Sequence, residues 1–571
     1  DHDFTSSVEL LSGMQIEYDL GDESILARHG KVEADGLRVG HALYNVVVLP
    51  SMITIDTNTL DLLNEFAQAG GTILSLGGFP QLVNGIQGDP GLGTLKKKTI
   101  SLDMAEQRDA IKGEFDRMGV RSCTLTDQDT GGDITEIHSR RFFDEGTEWR
   151  FFVNHHQDQT FHADIGIKGT GVLYEMDILT GEVSQVSDQQ EKAGFITIQA
   201  VFAPMQSRLF ALIPGADPAK TDIERVNDPN DDCIITPSSQ WDIEEMTENA
   251  ITLDTCSYRI DGGEWQPPKA VIHIFDELLA LRRPCRISMK FALHVNCHRE
   301  VLQDTFLVAE RAGEFIITIN GTTVPYKDTG YWLDSSFLRV EAGAYLKQGA
   351  NEIILERDFY QSENVYHVLF DDNVYETEIN KLTYDVELES LYLVGRFGVM
   401  SVSGYIPGER KAFFTGGPFA LVEPPETTNG NMTIEAMPFF TGQVSLGQDI
   451  EIEAEEGQRV VLRLKRPSAP VSEVWVNGAL VQSLPWAPYD VDITGAVHRG
   501  KNHVTVRLFS GNRNLLGPHH HIDGELYNVG PESFTGRWSW VEKSTEAKPA
   551  TREDRKRNYW NDDYCFVRFG L

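Results

Sequence analysis

The stretch Phe315-Ile316-Ile317-Thr318-Ile319-Asn320-Gly321, followed by Trp332-Leu333-Asp334 and by Lys347-Gln348-Gly349-Ala350-Asn351-Glu352-Ile353-Ile354-Leu355, decides the fold because it comes back. The second copy reads Val474-Trp475-Val476-Asn477-Gly478, then Tyr489-Asp490-Val491-Asp492-Ile493, then Arg499-Gly500-Lys501-Asn502-His503-Val504-Thr505-Val506. In each copy an alternating strand ends in Asn-Gly, an aromatic–Asp strand follows, and a Gly-x-Asn turn launches another alternating strand. Asn-Gly between alternating runs marks a type I′ hairpin, whose two central residues both need positive φ. A pattern repeated in this way is one structural unit used twice. Its period of two makes that unit a β-sandwich.

Toward the N-terminus the texture differs. Tyr44-Asn45-Val46-Val47-Val48-Leu49-Pro50 is a short apolar run that reads as a buried parallel-type strand. Thr59 to Ala69 places Leu60, Leu63, Phe66 and Ala67 at helical spacing before Gly70-Gly71, and Thr72-Ile73-Leu74-Ser75-Leu76 is a second strand. Strand, helix, strand predicts a right-handed βαβ unit. The turn that follows, Gly77-Gly78-Phe79-Pro80, holds no Cys or Ser nucleophile, and Cys123 lies far from any such turn. Gly85–Gly93 lacks dinucleotide and P-loop fingerprints and is expected as a surface loop.

From about residue 121 the segments become β-rich, with strands expected at Trp149–Asn154 and Gly171–Asp177 and a turn at Leu179–Glu182. The polar, proline-punctuated run from Asp217-Pro218 to Asp228-Pro229-Asn230-Asp231-Asp232 reads as a linker. Its Asp cluster offers oxygens for a structural calcium, although the spacing is not that of an EF-hand loop. The expected organisation is therefore a multidomain, mostly β chain: an α/β domain over 1–120, a small β-sandwich domain over 121–216, a linker over 217–240, and two larger sandwiches over 241–430 and 431–571.

The 571 residues carry 50 Lys+Arg against 86 Asp+Glu, a net charge of −36, with 41% hydrophobic residues. That balance excludes a mainly disordered chain and argues against nucleic acid or an anionic membrane as the partner, since phosphate recognition needs Lys/Arg clusters. A neutral, hydroxyl-rich ligand fits it. No apolar run approaches the ~20 residues of a membrane span. Arg552 to Arg557 is a short basic run, expected as a solvated turn or docking patch. Asp1-His2-Asp3-Phe4 reads like the interior of a longer polypeptide. Six cysteines without a CxxC pair are expected as reduced core thiols.

Two groups of residues are candidates for binding. Trp332 with Asp334, and Trp486 with Tyr489 and Asp490, join aromatic faces to carboxylates, the combination that recognises sugars. Recurrence at a matching place in both copies points instead to a fold-determining role. In Gly517-Pro518-His519-His520-His521-Ile522-Asp523-Gly524-Glu525, His519, His521 and Asp523 share one side if the segment is a strand, which leaves a metal site geometrically open. The bland reading is a histidine-rich loop packed on a sandwich.

The paired strand–Asn-Gly … Gly-x-Asn pattern resembles the galactose-binding-like jelly roll that accompanies many glycoside hydrolases, with a closely similar stretch in the β-galactosidase/β-glucuronidase family. Leu43 to Pro80 is similar to the flavodoxin-like, glutamine-amidotransferase-like domain found beside a catalytic barrel in several glycosidase families. Residues 140–213 look like the β-domain that follows it. With Glu389–Gly398 and Asn514–His520, the set resembles the C-terminal half of the large family 106, α-L-rhamnosidase-type glycoside hydrolases. The resemblance implies an ancillary portion that braces an N-terminal catalytic barrel and acts on an oligosaccharide or polysaccharide, in a bacterium, cytoplasmic or secreted. It places His519, His520 and Glu525 near the rim of the sugar pocket. It implies no cofactor. In that family the catalytic acid and base belong to the (β/α)₈ barrel, and this sequence has no eightfold β/α repeat, so no catalytic residue is assigned. The other readings are a free-standing carbohydrate-binding or adhesion protein, and a complete enzyme with a metal at His519/His521.

Overall fold

A computed structural model describes residues 2–104, 108–215, 232–371, 373–455, 457–536 and 559–571. It divides into two compact units, one comprising Asp1–Val226 with Trp486–Pro488 and a second comprising Asn227–Pro485 with Tyr489–Leu571. The structure is mostly β.

In the first unit five helices are named here: α1 (His2–Gly13), α2 (Glu23–His29), α3 (Thr57–Gln68), α4 (Pro90–Lys98) and α5 (Arg108–Arg117). The expected βαβ unit is present. Strands Val46–Pro50, Thr72–Leu76 and Thr99–Leu102 form a parallel sheet with Thr72–Leu76 in the middle, in register Val46↔Thr72 and Ile73↔Thr99. One face carries α3 and α4, whose Leu60, Leu63, Phe66 and Leu95 pack with Leu49 and Ile73. The other carries α1 and α5, whose Leu10, Leu11, Ile111 and Phe115 pack with Leu74 and Leu76. The Gly85–Gly93 stretch is not a loop throughout: it contains the strand Ile86–Gln87 and the first turn of α4. Asp89 accepts the Gly91 N–H at 2.7 Å and Pro90 fills the first helical turn, so the helix start is written in Asp-Pro.

From Cys123 the unit is a sandwich of four and five strands, with Phe152, Ile165, Phe202 and Phe210 in its core. The expected strands lie within Thr147–Asn154 and Val172–Met176, and Gly181 N–H closes the turn onto Asp177 O at 2.8 Å. Arg150, fully buried, donates to Glu148 at 2.7 Å, Glu17 at 2.8 Å and Ser122 Oγ at 2.6 Å, as a buried charge must.

The second unit holds two sandwiches. A five-stranded sheet containing Asn249–Leu253, Leu391–Gly395, Phe306–Glu310 and Asp334–Glu341 packs on an eight-stranded sheet built on Cys285–Val295 and Gly349–Phe359, around Leu307, Leu393, Phe291 and Leu355. A six-stranded sheet built on Gln443–Ile452 and Gly500–Phe509 packs on a three-stranded one, around Leu446, Leu462, Val491 and Val506. The chain does not fill them as contiguous blocks. Cys233–Ile235, expected in the linker, pairs in parallel with Val460–Leu462, and Trp241–Met246 pairs with the Gln443–Ile452 strand, so both belong to the second sandwich. At the other end Tyr564–Val567 pairs with Ala412–Thr415, and Phe566 enters the first core while Phe569 enters the second. Residues 217–231 of the expected linker, with most of its Asp cluster, and Arg552–Arg557 lie outside the described residues. Asp232, which is described, pairs with Arg459 at 3.1 Å.

Both Asn-Gly turns have the geometry expected of them, φ being 51° and 79° at Asn320 and Gly321 and 50° and 83° at Asn477 and Gly478. The turn asparagines are also clamps. Asn320 donates to Tyr345 O at 3.0 Å and Asn351 Oδ1 at 2.8 Å while accepting Glu352 N–H at 3.1 Å. Asn477 donates to Ala496 O at 3.0 Å and Asn502 Oδ1 at 2.9 Å while accepting His503 N–H at 3.0 Å. Asn351 and Asn502, both buried, tie their own turns to Lys347 and Gly349, and to His498 and Gly500. All six cysteines are free, as expected of core thiols.

Candidate functional site

The two aromatic–Asp groups are not equivalent. Counting back from the glycine that opens the last strand, Asp334 lies 349 − 334 = 15 residues upstream and Asp490 500 − 490 = 10 residues upstream. The symmetry argument for a shared core role therefore fails, and each group stands on its surroundings. Asp490 is exposed and held at the surface by Arg463, whose Nη2 donates at 2.7 Å. Tyr489 is half-buried against the second core, and Trp486 is half-buried beyond the end of the strand Ala479–Leu484.

Trp332 stands in a different setting. It is half-buried at the edge of the first sandwich, its ring centroid 6.1 Å from that of Tyr392, with Phe337 5.4 Å from Tyr392 on the other side. The exposed Asp334 accepts from Ser336 N–H at 2.8 Å and Oγ at 2.7 Å, which turns the chain and holds its carboxyl below the usual range. Three residues before Tyr392 in the chain is Glu389, which the sequence reading named within the resemblance but not as a site candidate. Burial, with the negative charges of Glu310 and Glu387 added, pushes the Glu389 carboxyl up to about 7. Solvent still reaches the side chain. Burial raises Glu310 as well, with Glu387 the next cause. Trp332 thus leaves part of its ring open at the sandwich edge, Tyr392 belongs to the core beneath it, and Glu389 is an exposed carboxyl that accepts or donates near neutral pH.

The histidine segment proves to be something else. It is not a strand, so the period-two argument that grouped His519 with His521 does not apply. Backbone bonds from Cys565 N to His519 O, Asn561 N to His520 O and Ile522 N to Tyr559 O, each 2.7 Å, bracket it against the C-terminal segment. His520, 7% exposed, stacks on Trp560 at 4.4 Å and 19°. Its Nδ1 meets Asn561 O at 2.9 Å and its Nε2 meets Asp254 Oδ2 at 3.1 Å. Both partners only accept, so both ring nitrogens carry hydrogen and His520 is an imidazolium. Burial opposes that charge, but the Asp254 bond outweighs it and raises the His520 pKa. Asp254 joins the two sheets of the first sandwich between Asn249–Leu253 and Thr255–Ile260. Burial alone would raise its pKa, yet the bond from His520 and that of Tyr564 Oη at 2.5 Å hold it below the usual carboxylate range.

His519 is the opposite case. It donates from Nε2 to Asn514 O at 2.9 Å, and burial pushes it down to about 4, so it is neutral. His521 is fully buried, stacked on Tyr559 at 5.6 Å, with Nδ1 accepting Asp523 N–H at 3.2 Å. Asp523 is mostly exposed, and Glu525 is paired with Arg513 at 2.7 Å. Among the described residues no three His, Cys, Asp or Glu are grouped to hold a metal ion, so His519, His521 and Asp523 are not brought together as ligands. Nor do His519 and His520 offer nitrogens to a sugar rim, because both are buried and bonded to the protein. The segment is an internal ion-pair lock. Its sequence signal lay in Asp254, a lone charge in the otherwise uncharged run Ala250-Ile251-Thr252-Leu253-Asp254-Thr255-Cys256.

Among the described residues no helix is long and apolar enough to cross a membrane. No protein-family model and no curated protein matches this chain. Solved structures to which it is similar include a rhamnosidase from Novosphingobium sp. PP1Y, at 14% identity and a TM-score of 0.29, covering 66% of this chain and 36% of that one. An apo exo-carrageenase GH42 from Bacteroides ovatus matches at 13% identity and a TM-score of 0.25, over 36% of this chain and 26% of that one. A β-D-mannosidase from Dictyoglomus thermophilum matches at 12% identity and a TM-score of 0.19, over 46% and 31%. These neighbours are glycoside hydrolases. The chain spans about a third of the rhamnosidase's length, 36%.

Proposed function

We propose that the chain is the ancillary C-terminal portion of a carbohydrate-active enzyme of the α-L-rhamnosidase-type glycoside hydrolases. It would brace an N-terminal catalytic barrel and supply a sugar-binding surface. In this reading the first 120 residues are the flavodoxin-like domain, and the two sandwiches of the second unit are galactose-binding-like jelly rolls. The observation that carries the binding role is Trp332, a ring half-buried at the sandwich edge with the exposed carboxyls of Asp334 and Glu389 on the same sandwich, a combination that suits the C–H face and the hydroxyls of a sugar. The net charge of −36 favours a neutral ligand over a polyanion. No side chain of this site is assigned to bond cleavage.

The test is calorimetric titration of the protein with rhamnose-containing oligosaccharides and a wider glycan panel, in parallel with aryl α-L-rhamnoside assays. Binding without hydrolysis is expected, and W332A and E389A should each weaken it by about tenfold or more, the loss of one ring face or one charged hydrogen bond. A silent panel, or affinity that ignores both substitutions, overturns the assignment of this surface. Hydrolysis by the 571 residues alone overturns the ancillary role.

A further inference from the structure

In the five-stranded sheet of the first unit, Ile137–Asp144 is an outermost strand. The turn Glu145-Gly146, both at positive φ, joins it to Thr147–Asn154, with which it pairs from Ile137↔Asn154 to Asp144↔Thr147. The hydrogen bonds fix which way its backbone faces. Asn154 N–H goes to Gln206 O on the far side, whereas His155 N–H goes to Glu136 O. Bonded and unbonded pairs alternate along an antiparallel ladder, so the even-numbered residues from 136 to 144 bond inward. Ile137, Ser139, Arg141 and Phe143 therefore point their N–H and C=O groups outward. Gln15 Nε2 donates to Ile137 O from that outer side. Beyond it, among the described residues, nothing bonds the outward backbone groups of Ser139, Arg141 or Phe143.

Folds ordinarily blunt such an edge by shortening it, bulging it, or placing Pro or charge on it. This strand runs for 8 residues in unbroken register, and its exposed end reads Arg140-Arg141-Phe142-Phe143-Asp144. Phe142 is 46% exposed and Phe143 63%. Phe142 stacks on Trp149 with the ring planes 3° apart, and the Arg141 guanidinium lies 5.1 Å from the Phe143 centroid. Arg140 and Asp144 are exposed, and neither has an ion-pair partner among the described residues. The charges on this edge thus come with their own complement, a few residues along the same strand.

We propose that this edge takes a second copy of the chain, the two Ile137–Asp144 strands adding antiparallel about a twofold axis at Phe142. Phe142 then faces Phe142 of the second copy, Arg141 faces Phe143, and Arg140 faces Asp144, the last two contacts occurring twice. Arg141 and Phe143 are both outward-bonding residues, so each such pair exchanges both of its backbone hydrogen bonds. Arg140 and Asp144 become opposite charges directly across the ladder, and Arg141 meets a Phe143 ring, pairings that each stabilise a sheet. The register is specified by the same residues. Sliding the copies one way by the next allowed step sets Arg141 opposite Arg141, a like-charge pair, and sliding them the other way leaves Arg140 opposite Gly146 of the turn. The inference is independent of the carbohydrate reading.

Sedimentation velocity on the 571-residue protein tests it, over about 1–100 µM, the range in which a small interface of this kind dissociates. The protein should pass from monomer to dimer across the series. F142D sets two carboxylates on the axis, and R140D and D144R each turn two attractive contacts into repulsive ones. Each of the three should raise the dissociation constant at least about tenfold, and the double variant R140D/D144R should return it to within about threefold of the unsubstituted value. All three side chains are exposed, so thermal unfolding of the variants should be unchanged. If F142D melts early, the charge-reversal set decides alone. A monomer throughout the series, a dimer indifferent to these substitutions, or a double reversal as weak as the single ones would each overturn the proposal.

Discussion

The two sandwiches of the second unit share a framework and differ in what is mounted on it. Each closes an Asn-Gly hairpin, seats the turn asparagine on a 3₁₀ turn, and locks it to the asparagine of a Gly-x-Asn turn, with hydrogen bonds that match partner for partner. The first has the Asp254–His520 ion pair inside it and the half-buried Trp332 with the raised Glu389 carboxyl on it. In the second, the corresponding stretch of chain carries an exposed Asp490–Arg463 pair. What is duplicated holds the fold together, and what is unique is where a specific role was added.

The sharpest way to break the comparison is D254A. It leaves the His520 imidazolium buried without its counter-charge, and about 3–5 kcal/mol of stability should be lost. Urea unfolding at pH 7 measures it; a loss near zero would show that the pair is not charged. The pH dependence has a definite sign. His520 is raised, so its contribution is complete below the unfolded value near 6.5 and is lost as pH rises through its folded value. Asp254 is lowered, so its contribution is present above the unfolded value near 3.9 and is lost as pH falls through its folded value. Both trends should be absent in D254A.

Next in size come N351A and N502A. Each removes a buried amide that satisfies backbone groups, and each should destabilise by about 2–3 kcal/mol. The comparison demands similar losses in the two copies, so a large effect in one and none in the other would end the claim of a common framework. A smaller effect is expected of E389Q. A carboxyl held up at about 7 lowers stability as pH rises from its unfolded value near 4.3 to above 7. E389Q should therefore raise the unfolding midpoint at pH 8 and leave it unchanged at pH 4, by on the order of 1 kcal/mol or less once solvent screening is allowed for. Smallest is R463A, which removes an exposed, solvent-screened pair and should leave the urea midpoint unchanged.

Much of the framework was legible in the chain. Asn320-Gly321 and Asn477-Gly478 demand positive φ whatever surrounds them, and the apolar spacing of Leu60, Leu63 and Phe66 specifies a helix by local periodicity. The helix start at Asp89-Pro90 was equally local and passed unread. The site was legible only in part. Trp332 and Asp334 were visible as an aromatic–acid group, but Glu389 acquires its character from Glu310 and Glu387, which a linear reading places far apart or treats as ordinary solvated acids.

Local patterns therefore determined the turns, the βαβ unit, the duplication and the acidic charge, because each depends on neighbouring residues or on their sum. Tertiary structure alone decided that Cys233–Ile235 completes the second sandwich and that the histidine segment forms an ion-pair lock. His520 meets Asp254 across 266 residues and Tyr564 meets it across 310. Protonation states and strand partners follow from such meetings, through desolvation and hydrogen-bond geometry that no local pattern encodes.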